Sequence, residues 1–346
     1  MRALTDARAG GQPAPGGHDR QARAPAAAGL PPPEPALARI GRAATAALYQ
    51  ELVLYPKPGL VSLVDSGSHA DMTASTFLRS LAALRPYFVQ AACLGALDAP
   101  FSRLERAGID AEQRMLRATA GINTHRGAVF SLGLLCAAAG RLQTQPQPLP
   151  GSLTGPQPDP LATPARLRQQ LLQAWGPALA ERCARQRASN GQRAAQDHGL
   201  RSAGAEAALG LPVLFEVAVP ALQQALAAGL APRWARLQTL FCVMAVLDDT
   251  NLAHRGGLAG LRFGQRAAAD FLAAGGVARP DALAHAVSLH QAFVARRLSP
   301  GGAADLLAAA CWVQRVCTPQ RPLPPVPGSD SGSDSGTDSG SAALAG

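Results

Sequence analysis

The densest run of reactive side chains is Leu247-Asp-Asp-Thr-Asn-Leu-Ala-His-Arg-Gly-Gly257, which follows the apolar stretch 240–247. Two adjacent carboxylates, a hydroxyl and an amide make a hard oxygen set of the kind that suits Mg²⁺ shared with substrate phosphates. Asp248 and Asp249 are the candidate metal ligands, with Asn251 beside them, while Arg255 and the two glycines add positive charge and backbone freedom. A second group surrounds Lys57, the single lysine among 32 lysines and arginines. An ammonium is a compact point charge, whereas guanidinium is a planar fork, and Pro56 and Pro58 stiffen the backbone on either side. Lys57 is therefore a candidate grip for an anion such as a phosphate. The same loop continues to His69 and Asp71, two apart and so on one face of an extended segment. Such a pair could move a proton or ligate a metal; equally, Asp71 could cap the next helix while His69 bonds locally.

Three further polar islands punctuate apolar sequence. Gly121-Ile-Asn-Thr-His-Arg-Gly127 precedes the apolar run 128–139. Asn123 or Thr124 can cap a helix there, leaving amides and a positive dipole end that, with His125 and Arg126, would cradle a phosphate. Glu206 lies in a nearly apolar stretch shortly after Asp197, His198 and Arg201. Its carboxylate, if buried, needs a partner or becomes neutral, and an ion-pair anchor and a catalytic group are equal readings of it. In Ser299-Pro-Gly-Gly-Ala-Ala-Asp305, serine and proline start a helix and Asp305 falls inside it, where it could face a site.

The elements that must position these groups are helices. Hydrophobic residues make up 47% of the 346-residue chain and aromatics only 4%, so the core is built from Ala, Leu and Val, which favours packed helices over sheets. Leu37, Ile40, Ala44, Leu48 and Leu52 share one helical face; Phe77, Leu81, Leu84 and Phe88 share another, with Asp71 or Thr73 as its cap. Stretches 237–247 and 303–316 read the same way. The expectation is one all-α domain over 35–318, interrupted at 143–164 by a Pro/Gln-rich surface insertion. It is flanked by disordered tails, Ala/Pro-rich at 1–34 and Ser/Gly/Asp-rich at 319–346.

The formal charge of +9 suggests an anionic partner. Basic residues form no stripe and have no interleaved aromatics, which argues against nucleic acid. No apolar run reaches the roughly 18 residues of a membrane span, and the N-terminus lacks a signal-like apolar core, so the expected location is the cytoplasm. Six cysteines without a CxxC pair read as reduced core residues.

Taken in order, Pro-Lys-Pro-Gly-Leu-Val (56–61), Gly-Ser-His-Ala-Asp-Met (67–72), Asn-Thr-His-Arg-Gly (123–127), Asp-Thr-Asn (249–251), Arg-Gly-Gly (255–257) and Ser-Pro-Gly-Gly-Ala-Ala-Asp (299–305) resemble the triphosphoribosyl-dephospho-CoA synthase family. The match runs from about Tyr49 to about Trp312. Arg126 stands where that family often has lysine. Gly204 stands where its arginine is expected, with Arg201 close enough to compensate. The form at 67–72 looks more like the malonate decarboxylase branch than the citrate lyase branch.

The resemblance implies that the 2′-hydroxyl of 3′-dephospho-CoA attacks C1′ of the ATP ribose, releasing adenine and keeping the triphosphate. The product would pass to the machinery that modifies a carrier protein. Departure from C1′ gives an oxocarbenium-like transition state that carboxylates stabilise, and adenine needs an acid to leave. On that reading Lys57, His125, Arg126 and Arg255 grip phosphates, aided by Asn123 and Thr124, and a Mg²⁺ sits on Asp248 or Asp249 near Asn251. Asp71 and Glu206 would then activate the hydroxyl or stabilise C1′, with His69 transferring a proton. The rivals are an all-α Mg²⁺-dependent nucleotide or ADP-ribosyl hydrolase and a non-enzymatic CoA- or carrier-protein-binding module.

Overall fold

The computed structural model describes residues 34–144, 163–185 and 190–318. The expected tails lie outside the described residues apart from Glu34, and so does most of 143–164; of that stretch, the first two residues close one helix and Pro164 opens the next. Among the described residues there are twelve α-helices and no strand, so the all-α expectation holds. They are α1 Pro35–Leu52, α2 Ala74–Ala96, α3 Phe101–Ala118, α4 Arg126–Thr144, α5 Pro164–Arg185, α6 Asn190–His198, α7 Ala203–Ala208, α8 Val219–Ala227, α9 Pro232–Val246, α10 Thr250–Ala273, α11 Ala282–Ala295 and α12 Gly301–Cys317.

Apolar periodicity decides which helices lie inside. In α12, Ala303, Ala304 and every residue from Leu306 to Val313 are buried, and α4 is similarly apolar from Ala128 to Gly140. A helix without a polar face must be surrounded, and α12 touches α1, α4, α8, α9 and α10. The shared-face residues of α1 are all buried, and Leu81, Leu84 and Phe88 of α2 likewise; Thr73, not Asp71, is the residue that opens α2. Small residues bring α2 and α4 together. A Cβ on Gly140 would overlap the Ala92 carbonyl, and one on Gly95 would overlap that of Ala137, so both positions need the missing side chain.

Three helices begin in one region. The first turn of α12 touches the start of α10, where Gly301 lies against the Asn251 side chain, and touches α4, where Asp305 lies against Gly127. Helix α10 breaks at Gly257, whose φ of 61° is open to glycine and costly for other residues, and this kink follows directly on Arg255. All six cysteines are free, and no described helix is long and apolar enough to cross a membrane.

The glycine contacts predict opposite outcomes. Gly140→Val should lower stability by about 3 kcal/mol through overpacking. Gly108→Ala in α3, where the new methyl finds only the Tyr87 hydroxyl at 3.5 Å, should raise it by about 0.5–1 kcal/mol. Urea unfolding midpoints of the two variants check both signs.

Candidate active site

The centre is built on a buried ion pair. Glu51 sits one helical step beyond Leu48 on the inward stripe of α1, so its carboxylate is delivered into the core at 4% exposure. Lys57 folds back over the end of the same helix. Its ammonium donates to the Glu51 carbonyl (2.8 Å) and to Glu51 Oε1 (2.5 Å), and the residue is wholly buried. Lysine fits because one compact cation satisfies both a helix-end carbonyl and a carboxylate. Burial lowers the ammonium pKa, and Glu51 opposes that shift. The structure thus places Lys57 inside the fold, paired with Glu51, where the sequence suggested a stiff loop suited to gripping an anion. Behind the loop, His290 Nδ1 donates to the Lys57 carbonyl (2.6 Å), and its Nε2 lies 3.2 Å from Asp65 Oδ1.

Asp249 joins two of the helix starts. It is 2% exposed. Oδ1 accepts from the amides of Asn251 (2.9 Å) and Leu252 (3.3 Å), capping α10, and Oδ2 accepts from Ala303 in the first turn of α12 (2.9 Å). Burial raises its pKa, and these amides work against that. Asp305, two residues further along α12, lies against Gly127 and accepts from the Ala128 amide at the start of α4. Burial, followed by the nearby charges of Glu51 and Asp249, holds the Asp305 carboxyl well above the usual range. Three carboxyl groups therefore share the centre with one ammonium and three positive helix ends.

His125 closes the wall on the α4 side. Its Nδ1 lies 2.7 Å from Ser80 Oγ and 3.1 Å from Thr124 Oγ1, its ring meets Phe77 edge-on at 4.8 Å, and its Nε2 is buried without a partner among the described residues. Burial, then the Lys57 charge, pulls its pKa down to about 3, so the ring is neutral. Asn123 Oδ1 accepts from the Arg126 amide (3.1 Å), the cap expected for α4. The Arg126 side chain is half exposed and pairs with Glu112 of α3.

A second cluster edges the start of α12. Arg255 donates to His69 Nδ1 (2.9 Å) and to the carbonyls of Ser68 (3.2 Å) and Arg297 (3.1 Å). A guanidinium only donates, so Nδ1 is the accepting nitrogen and the Nε2 hydrogen points to Ser299 Oγ at 3.0 Å. Burial and then Arg255 lower the His69 pKa to about 4. Asp71 is exposed, 3.8 Å from His69 Nδ1. A third cluster holds Glu206, which accepts from Arg201 Nη1 (2.8 Å) and the Val213 amide (3.3 Å). Burial raises the Glu206 pKa. The Arg201 amide also donates to Asp248 Oδ2 (3.1 Å), which ties this cluster to the Asp248–Asp249 pair.

The structure thus gathers Lys57, His125 and Asp249 around the core carboxyls, and sets His69, Asp71 and Arg255 at one margin and Glu206 and Asp248 at another. Asn251 is exposed beside Gly301. Sequence reasoning missed Glu51, Ser80 and His290. Glu51 left a signal, a carboxylate at an apolar position of a helical stripe; Ser80 and His290 left none. Among the described residues no group of three or more His, Cys, Asp or Glu side chains is arranged to hold a metal ion. Asp249 spends both oxygens on amides, whereas Asp248 is partly exposed and accepts from the Arg201 amide.

The all-helical fold thus sets carboxyls at three helix starts, with His125 and His69 neutral beside them and guanidinium groups at the margins. The family profile described as ATP:dephospho-CoA triphosphoribosyl transferase matches residues 37–322, and the chain belongs to that transferase family. A probable 2-(5″-triphosphoribosyl)-3′-dephosphocoenzyme-A synthase of Acinetobacter calcoaceticus is 36% identical over 278 residues, covering 80% of this chain and 91% of the relative. One of the same name from Citrobacter koseri is 38% identical over 279 residues, covering 78% and 88%. No solved structure matches the chain.

Two stability predictions follow from the buried charges. Lys57→Met leaves Glu51 unpaired and should cost about 3–5 kcal/mol, whereas adding Glu51→Leu should restore much of that loss, as read from urea midpoints. With the His125 and His69 pKa values held at about 3 and about 4, the unfolded chain binds more protons than the native one once the pH drops below about 6.5. Stability should therefore decrease as pH falls from about 6.5 to 4, and His125→Gln should flatten that dependence in midpoints taken at pH 7.5, 5.5 and 4.5.

Proposed function

We propose that the chain transfers the 5-triphosphoribosyl group of ATP to the 2′-hydroxyl of 3′-dephospho-CoA, releasing adenine. The observation that carries this reading is the set of three carboxyls, Glu51, Asp249 and Asp305, clustered at the meeting of three helix starts in a member of this family. Ribosyl transfer develops positive charge at C1′ and needs anionic groups beside it, whereas phosphoryl transfer needs cations at the reacting phosphate. The guanidinium groups stand outside this centre: Arg126 at the start of α4, Arg255 at the kink of α10 and Arg201 beside Asp248. That division suits a triphosphate held at the margin while its ribose reaches inward. Phosphate binding then falls to Arg126 and Arg255, with the α4 start formed by Asn123, Thr124 and His125. The buried Lys57 sets the charge of the centre, and a magnesium ion on the triphosphate would meet Asp248.

His69, with Nε2–H on Ser299 and Asp71 close by, is placed to pass a proton at the margin. Glu206 anchors Arg201 in this reading. The product serves as the prosthetic-group precursor for an acyl carrier protein. The Gly-Ser-His-Ala-Asp-Met sequence at 67–72 favours malonate decarboxylase over citrate lyase as its destination.

The test is purified protein with ATP, Mg²⁺ and 3′-dephospho-CoA, with products separated by chromatography. Adenine should appear only when dephospho-CoA is present, in a ratio of one to each dephospho-CoA consumed. Free phosphate or ADP-ribose instead would indicate a hydrolase, and unchanged ATP would indicate a binding module.

A further inference from the structure

Asp305 differs from the other two central carboxyls. Glu51 is spent on Lys57, and Asp249 is spent on the starts of α10 and α12; both are buried. Asp305 is an only partly exposed residue whose carboxyl is itself buried; what faces that carboxyl is the Gly127 backbone and the Ala128 amide, on the wall that also carries the His125 ring. Its carboxyl lies so close to Gly127 that any side chain at 127 would occupy the position of Oδ2. The Ala128 amide at the start of a 19-residue helix faces it. Two residues before Gly127, the buried His125 Nε2 has no hydrogen-bond partner among the described residues, and a polar ligand group could supply one.

We propose that Asp305 is the acid that protonates adenine as it leaves, and that position 127 is glycine to admit this carboxyl to the start of α4. The inference rests on the transfer reaction proposed above. In that step the C1′–N9 bond breaks with its electrons going to adenine, while N3 or N7 of the base takes the Asp305 proton. The 2′-oxygen of dephospho-CoA forms the new C1′–O bond and sheds its proton, which restores the Asp305 carboxyl directly or through water. No net proton is consumed.

The surroundings serve both halves of this cycle. Burial, and then the Glu51 and Asp249 charges, keep the proton on Asp305 before the bond breaks. Once the proton has gone, the Ala128 amide and the positive end of α4 stabilise the carboxylate left behind. The arrangement therefore holds a neutral acid beside a donor prepared for its conjugate base.

The test compares full-length wild type with Asp305→Asn, a variant that retains an oxygen for the Ala128 amide but has no acidic proton. Rates of adenine release are measured from pH 5.5 to 9, with circular dichroism confirming the fold. With ATP, kcat should drop on the order of 10²–10⁴-fold with KM within about threefold, and the wild-type decline at high pH should vanish. An ATP analogue with nicotinamide in place of adenine loses its base as a neutral molecule without protonation, so with it the variant should lose less than about tenfold. If wild type does not accept the analogue, the pH profile decides alone. Near-normal turnover of ATP by Asp305→Asn would overturn the proposal, as would equal losses with both leaving groups or an unchanged high-pH limb. If Asp305→Asn does not fold, Gly127→Ala, which displaces the carboxyl without removing it, is judged by the same readouts. Absence of dephospho-CoA-dependent adenine release by wild type would instead refute the transfer reaction itself.

Discussion

Asp249 has backbone amides where an exposed carboxylate would have water, and they come from two different helices. A buried carboxylate deprived of one of those donors costs several kcal/mol, so the starts of α10 and α12 are held together by the need to keep it solvated. Everything at the centre follows from that tie. It fixes the first turn of α12, hence the position of Ser299 below it and of Asp305 above it. Through Asp305 it fixes the approach of α4. The three helix ends in turn supply the partial positive charge that makes a concentration of carboxyls tolerable.

The Lys57–Glu51 pair is the other half of this balance. One ammonium cannot neutralise Glu51, Asp249 and Asp305 together, and the Asp305 pKa shows the consequence, a carboxyl driven upward by its neighbours as well as by burial. A centre of this kind gains little from further cations. In the transfer we propose, positive charge would appear briefly at a sugar carbon beside it while a base departs with a proton. The histidines fit the same picture: both His125 and His69 are kept neutral by burial and adjacent cations, so they serve as hydrogen-bonding groups and not as fixed charges.

Much of the candidate site was legible in the chain because polar islands interrupt Ala/Leu-rich helices. Asn123 before an apolar run announced the cap it makes, and the offset of Arg201 from Glu206 allowed the ion pair that forms. Glu51 was overlooked although it stands on the stripe defined by Leu37, Ile40, Ala44 and Leu48; a charge at a core position of a helix is a local signal, and it marked the centre. Lys57 misled in the opposite direction. Flanking prolines indicate a stiff loop, but stiffness does not say which side of the loop faces the interior. Asp249 was read as a metal ligand because its sequence neighbours are oxygen donors, while its actual donors include an amide more than fifty positions away.

The sequence by itself determined the helical class, the helices that had to lie inside and the identity of most residues now found around the centre. Those properties depend on short-range spacing: an apolar period of 3.6, a cap three residues before an amide, glycine where a side chain has no room. The tertiary structure alone decided which charges are buried together, which carboxyl is driven upward by burial and its neighbours and which histidine ring is enclosed. Burial and electrostatic neighbourhood depend on groups far apart in the chain, and a carboxylate on α12 acquires its chemistry only when α1, α4 and α10 surround it.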